Sequence, residues 1–82
     1  MIVCMKIFPI TGLCDNMQEI EISLSKGNLR ELKESIMKQL GIGPSELDKL
    51  MLLWEGSLID LNEDVCFHNG DQLWLFPQIS GG

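Results

Sequence analysis

At 82 residues, with 45% apolar and 22% charged side chains, the chain has room for one small domain and not for two. Twelve acidic against six basic residues leave a net charge of −6, which excludes the clustered Lys and Arg that a nucleic-acid partner requires and suits a basic protein surface instead. No apolar run nears the roughly 18 residues that span a bilayer, and the apolar stretch in "MIVCMKIFPI" is too short for a signal sequence, so a cytoplasmic location without membrane contact is expected.

"IVCMKIF", Ile2 to Phe8, is apolar on both faces and β-branched in places, and it stops at Pro9; it predicts an interior strand. "TGLCDN" follows as a turn. From Glu19, Ile20, Ile22 and Leu24 alternate with Glu19, Glu21 and Ser23, the pattern of a half-buried strand. Asn28 is a good N-cap with Glu31 three positions on, and Leu29, Leu32, Ile36, Met37 and Leu40 then share one helical stripe that Gly41 terminates. "GIGPSELDK" is a connection with room for one short helical turn opened by Ser45. "LMLLW", Leu50 to Trp54, predicts a buried strand, Glu55-Gly56 a tight turn and "SLI" a short strand. A polar connection runs from Asn62 to Asp71, with Asn69-Gly70 as a turn, before a last strand over Leu73 to Phe76 that Pro77 closes. One helix over a mixed sheet of four or five strands is a two-layer α+β arrangement, and this element order is that of ubiquitin-like β-grasp domains.

No catalytic constellation stands out. His68, the one histidine, sits beside Asn69-Gly70 with no nucleophile or orienting partner in view, which reads as an exposed turn residue. Glu19 and Glu21 read as the wet face of a sheet. Cys4, Cys14 and Cys66 are odd in number and widely spaced, without C-x-x-C, so neither a disulfide framework nor a metal site is expected. Gly41, Gly43 and Pro44 lack the Lys and Ser/Thr of a phosphate loop.

Two features remain. Leu73 to Phe76 is apolar at four consecutive positions, so two of these side chains face away from the helix; either loops cover them or they form a partner surface. The chain then ends "PQISGG". A β-grasp domain over 1–77 followed by a flexible tail over 78–82 is the expected division. The five residues after Pro77 extend roughly 17 Å, enough to enter a partner's active site, and Gly81 and Gly82 make the thread thinnest at its tip. A carboxylate there becomes reactive toward sulfur or nitrogen nucleophiles once adenylated.

"NGDQLWLFPQISGG", with the strand–strand–helix opening, resembles the small ubiquitin-like sulfur carriers of the MoaD and ThiS type, and "FPQISGG" is most similar to the tail of the molybdopterin synthase small subunit. Gln78 departs from the second proline usual there, and Gly70-Asp71-Gln72 with Leu75-Phe76 is similar to the thiamine branch. The resemblance implies a protein co-substrate rather than an enzyme. Gly82 would be adenylated and converted to a thiocarboxylate, Gly81 would give slim passage, and Ile79 and Ser80 would link the tail to the fold. No cofactor would be bound; ATP would be consumed by a ubiquitin-activating-enzyme-like adenylyltransferase. The sulfur would go to molybdopterin on a synthase large subunit, with thiamine thiazole synthesis as the alternative. Phe8, Leu58 and Phe76, joined by Pro77 and Ile79, would form the partner interface. A ubiquitin-like modifier that conjugates to lysines and an interaction module with an inert tail remain as other readings.

Overall fold

The computed structural model of the chain describes residues 1–10, 12–13, 15–59 and 65–78. Along them run β1 (Ile2–Ile7), β2 (Gln18–Ser23), α1 (Leu29–Leu40), α2 (Pro44–Leu47), β3 (Leu50–Trp54), β4 (Ser57–Ile59) and β5 (Gln72–Pro77). The five strands form one mixed sheet in the order β2-β1-β5-β3-β4. β1 and β5 are parallel neighbours, and every other pair is antiparallel. β1 is thus an interior strand, as its apolar residues on both faces predict. A β-hairpin, a helix and a return strand that pairs in parallel with the first make a β-grasp.

One face of the sheet carries the core. Val3, Met5 and Ile7 of β1, Ile22 of β2, Leu50 and Leu52 of β3, Ile59 of β4 and Leu73 and Leu75 of β5 are buried. They form one cluster with Leu29, Leu32 and Ile36 of α1 and with Leu24, Leu47 and Phe67. Met37 and Leu40, the remaining members of the helical stripe, pack half-buried at its rim. The period-two strands and the 3.6-residue helix therefore present their apolar sides to each other, which is what closes a two-layer domain.

The helix begins where the sequence marks it. Asn28 is the N-cap, and its Oδ1 accepts the Glu31 N–H at 2.8 Å. The Glu31 carboxylate turns back, but not onto the N-cap N–H as a capping box would have it. It accepts from the N–H groups of Ser25 (2.6 Å), Lys26 (2.8 Å) and Gly27 (2.9 Å) and from the Ser25 hydroxyl (2.7 Å), so one side chain gathers the whole β2–α1 turn. Gly27 stands at φ 71°, and a Cβ there would lie 2.6 Å from Met1 Cε and 3.2 Å from the Phe67 carbonyl. Its own carbonyl accepts the Phe67 N–H at 2.7 Å, tying the turn to the segment before β5. At the other end Gly41 is left-handed, and its N–H and that of Ile42 reach the Met37 carbonyl.

Three expectations need correction. The short helix opens two residues before Ser45: Gly43 is its N-cap, and Pro44 takes the first helical position, where a missing N–H costs nothing. β2 begins at Gln18 and ends at Ser23, with Leu24 beyond it. Pro77 does not close β5 from outside but is its last residue, paired with Leu50. The ladder to β1 has by then ended, with Phe8 N–H on the Leu75 carbonyl, so no pairing is lost on that side, and Gln78 N–H still donates to Lys49 on the β3 side.

Candidate functional site

The strand registers align one row of side chains across the face of the sheet opposite α1. Glu19 of β2 lies opposite Lys6 of β1, Lys6 beside Trp74 of β5, Trp74 opposite Leu53 of β3, and Leu53 opposite Leu58 of β4. The row passes from charged to apolar as it crosses the sheet. Trp74 is 44% exposed and Leu58 58%, so the apolar half is open to solvent. Of the four consecutive apolar residues in β5, Leu73 and Leu75 are buried, while on the opposite face Trp74 is exposed and Phe76 half-buried, with Phe8 from the segment after β1 packed against both.

Around Trp74 the aromatic residues pack together. The Phe8 ring lies 5.8 Å from Trp74, tilted by 49°, and 6.2 Å from Phe76, edge-on at 76°. Such pairing fixes ring orientation beyond what area burial alone would do. Phe8, Pro9, Leu53, Trp74, Phe76 and Pro77 line an open groove of ≈ 460 Å³. Leu53 and Trp74 also border a second depression of ≈ 370 Å³ with Glu55, Gly56 and Gln72, so the apolar groove has a polar end. Pro77 also lines a third hollow, of ≈ 380 Å³, with Ile10, Leu13, Ile42, Lys49 and Gln78. The chain thus leaves the sheet between two concave surfaces.

Of the interface residues named from the sequence, Phe8, Phe76 and Pro77 meet in the apolar groove, whereas Leu58 stands on the edge strand beyond Leu53 and does not line it. Ile79, Gly81 and Gly82 lie outside the described residues, as do Ser80 and Cys14. Trp74 and Leu53 are central to the groove, although neither was among the residues assigned to the interface. The signal for Trp74 was present in the alternation of Leu73 to Phe76. For Leu53 there was none, because "LMLLW" is apolar throughout and its outward residues follow only from pairing with β5.

Beside the polar end of the groove a second cluster holds the start of β5. The Asp71 carboxylate accepts the Trp54 indole N–H at 2.9 Å and the His68 backbone N–H at 2.7 Å, and His68 Nδ1 lies 3.8 Å away. Desolvation pushes its pKa up, but the His68 N–H, the Trp54 indole and the His68 imidazole outweigh it and hold the carboxyl below its ordinary value. Glu55 completes the knot: its N–H donates to the Gln72 carbonyl, and its carboxylate accepts the Gln72 N–H at 3.2 Å. His68 itself is exposed, as a turn residue should be. Among the described residues no group of three or more His, Cys, Asp or Glu comes together as a metal site, and no helix is long and apolar enough to cross a membrane.

No protein-family model matches the chain, and no curated relative matches its sequence. Solved structures do resemble it over its whole length. SAMP1 from Haloferax volcanii superposes with a TM-score of 0.73 at 19% identity, covering 99% of each chain. A chain in the protein–protein complex of subunits 1 and 2 of molybdopterin-converting factor from Helicobacter pylori superposes with 0.62 at 24% identity, covering 100% of each. The fold is ubiquitin-like. A ubiquitin from Caldiarchaeum subterraneum is similar at a TM-score of 0.50 and 20% identity, over 99% of each chain. In this ubiquitin-like fold the apolar groove lies on the sheet face that α1 leaves uncovered.

Proposed function

We propose that the chain is a sulfur carrier in which the Gly82 carboxylate is the reacting group. The observation that carries this reading is the placement of the groove: Phe8, Trp74, Phe76 and Pro77 form an exposed apolar surface at the end of β5, five residues before Gly82. A partner docked on that surface receives the terminal segment at a distance the chain can span. An ATP-dependent adenylyltransferase is the first such partner. The carboxylate attacks the α-phosphorus of ATP and expels pyrophosphate; a hydrosulfide equivalent then adds to the acyl carbon and expels AMP, leaving the thiocarboxylate. Gly81 and Gly82, without side chains, thread a narrow site. The net charge of −6 favours encounter with a basic active-site rim.

Likeness to one chain of a two-subunit molybdopterin-converting factor supports molybdopterin as the destination of the sulfur, with a synthase large subunit as the second partner. Likeness to SAMP1, a small archaeal modifier protein, supports a second reading in which the activated glycine is transferred to lysines. Intact mass spectrometry after incubation with ATP, an activating enzyme and a sulfur source separates them. Replacement of one oxygen by sulfur at Gly82 is the expected result, lost in Gly82→Ala. Protein-sized adducts without thiocarboxylate establish the modifier, and an unchanged mass with no adducts overturns both.

A further inference from the structure

β2 is an edge strand of the sheet, two strands from β5, and among the described residues no further strand pairs with its outer side. Met1 and Leu24 exchange both backbone hydrogen bonds, each at 2.8 Å, which sets the phase of the antiparallel β1–β2 ladder. Counting along the register from that pair, Ile22, Ile20 and Gln18 direct their N–H and C=O groups to β1, and Ser23, Glu21 and Glu19 direct theirs outward. The opposite strand agrees: Cys4 N–H donates to Asp71 and the Ile2 carbonyl accepts from Gly70, both on the β5 side. Three residues of β2 therefore turn their backbone donors and acceptors away from β1 over about 14 Å of strand, and no partner for them stands among the described residues.

The side chains of those same residues are informative. Glu19 and Glu21 are exposed on the face opposite α1. Glu19 lies in register with Lys6, but Glu21 lies opposite Cys4 and has no cation across from it. On the other face Ile20 is half-buried at the rim of the core, with one side uncovered at the edge, and Met17 just before β2 is 55% exposed. A second copy of this chain pairing antiparallel about Glu21 would set Glu21 against Glu21, which like charges disfavour. A strand with Lys or Arg at alternate positions and aliphatic residues between them satisfies all three features: backbone groups, carboxylates and the exposed flank of Ile20.

We infer that β2 is a docking edge for an extended basic segment of a partner protein, which adds to the sheet as a sixth strand beside Glu19, Glu21 and Ser23. Its alternate cations face Glu19 and Glu21, and the intervening aliphatic side chain covers Ile20. This site lies two strands from β5, so it is compatible with a partner held at the groove, and it does not depend on the chemistry at Gly82.

The probe is a blocked hexapeptide alternating Arg and Val, added to the full chain and followed by amide chemical shifts and calorimetry. The expected result is binding that weakens with salt, with shifts at Glu19, Glu21 and Ser23, and a loss of about tenfold in affinity in the double variant Glu19→Lys, Glu21→Lys. A peptide with the same charges but methylated backbone nitrogens should fail to bind. Equal binding by the methylated peptide, shifts centred on Phe8 and Trp74, indifference to the charge reversal, or no binding would each overturn the inference. Concentration-dependent shifts at Glu19 and Glu21 without peptide would overturn it in favour of a second copy.

Discussion

The indole N–H of Trp54 donates to the Asp71 carboxylate at 2.9 Å, and the Trp54 ring lies edge-on to Phe67 at 5.2 Å. One side chain thus ties the end of β3 to the residue before β5 and to the core. Asp71 also accepts the His68 N–H, so Asp71→Ala removes the acceptor of a part-buried donor and of an exposed one that water can satisfy, at a cost of about 1 kcal/mol. Asp71→Asn keeps an acceptor oxygen and should lose less. Because the folded carboxyl titrates below its ordinary 3.8, its contribution is complete above that pH and disappears as pH falls through the lower folded value. The Trp54 indole proton resonance should shift in that acid range, and an indole signal unmoved by Asp71→Ala would contradict the contact.

Glu31 makes a similar prediction in a different window. Hydrogen bonds from the Ser25 N–H and hydroxyl, then from Lys26 and Gly27, draw its pKa from 4.5 down to about 2, against a smaller opposing effect of desolvation. A depressed folded pKa means stability that is full above about 4.5 and lost between there and about 2. Glu31→Gln should therefore melt at a lower temperature than the parent at pH 7, with the difference closing as pH drops toward 2. Melting curves that stay parallel over that range would show that the charge of Glu31 does not organise the turn.

Gly27→Ala tests the same turn through the backbone. The position has φ 71°, where an L side chain costs about 1–2 kcal/mol, and the added Cβ meets the Phe67 carbonyl at 3.2 Å, a backbone group that cannot swing aside. The Met1 side chain, at 2.6 Å, can move. Denaturant unfolding should show a loss at or above the upper end of that range. A loss below about 0.5 kcal/mol would mean that the turn reshapes freely.

Much of this was legible in the residues. Asn28, Glu31 and Gly41 announce the helix because capping is local chemistry, and Ile20, Ile22 and Leu24 announce β2 because a half-buried strand must alternate. Where a segment is apolar throughout, the pattern falls silent. "LMLLW" says strand but not which residues face out, and only its pairing with β5 puts Leu53 beside Trp74. Likewise Glu31 reads as a capping-box residue, yet its reach to Ser25 depends on how β2 delivers the chain to the helix. The Trp54–Asp71 bond joins residues 17 apart and carries no sequence signature.

The sharpest test of the candidate surface compares Trp74 with Leu58. Both are exposed, but Trp74 touches Phe8 and lines the groove, whereas Leu58 lies on the edge strand beyond Leu53. A large aromatic at the centre of an apolar patch, ringed by Phe8, Phe76 and Pro77, has the setting in which truncation costs about 2 kcal/mol or more of binding. Trp74→Ala should therefore reduce kcat/KM for activation by an adenylyltransferase by about 30-fold while changing stability by no more than about 1 kcal/mol, since the ring, 44% exposed, packs on Phe8 at the surface and is not part of the core cluster. Leu58→Ala, at the periphery, should cost no more than a few-fold. The reverse ranking would move the docking surface to β4, and equal indifference would leave the groove without a role in activation.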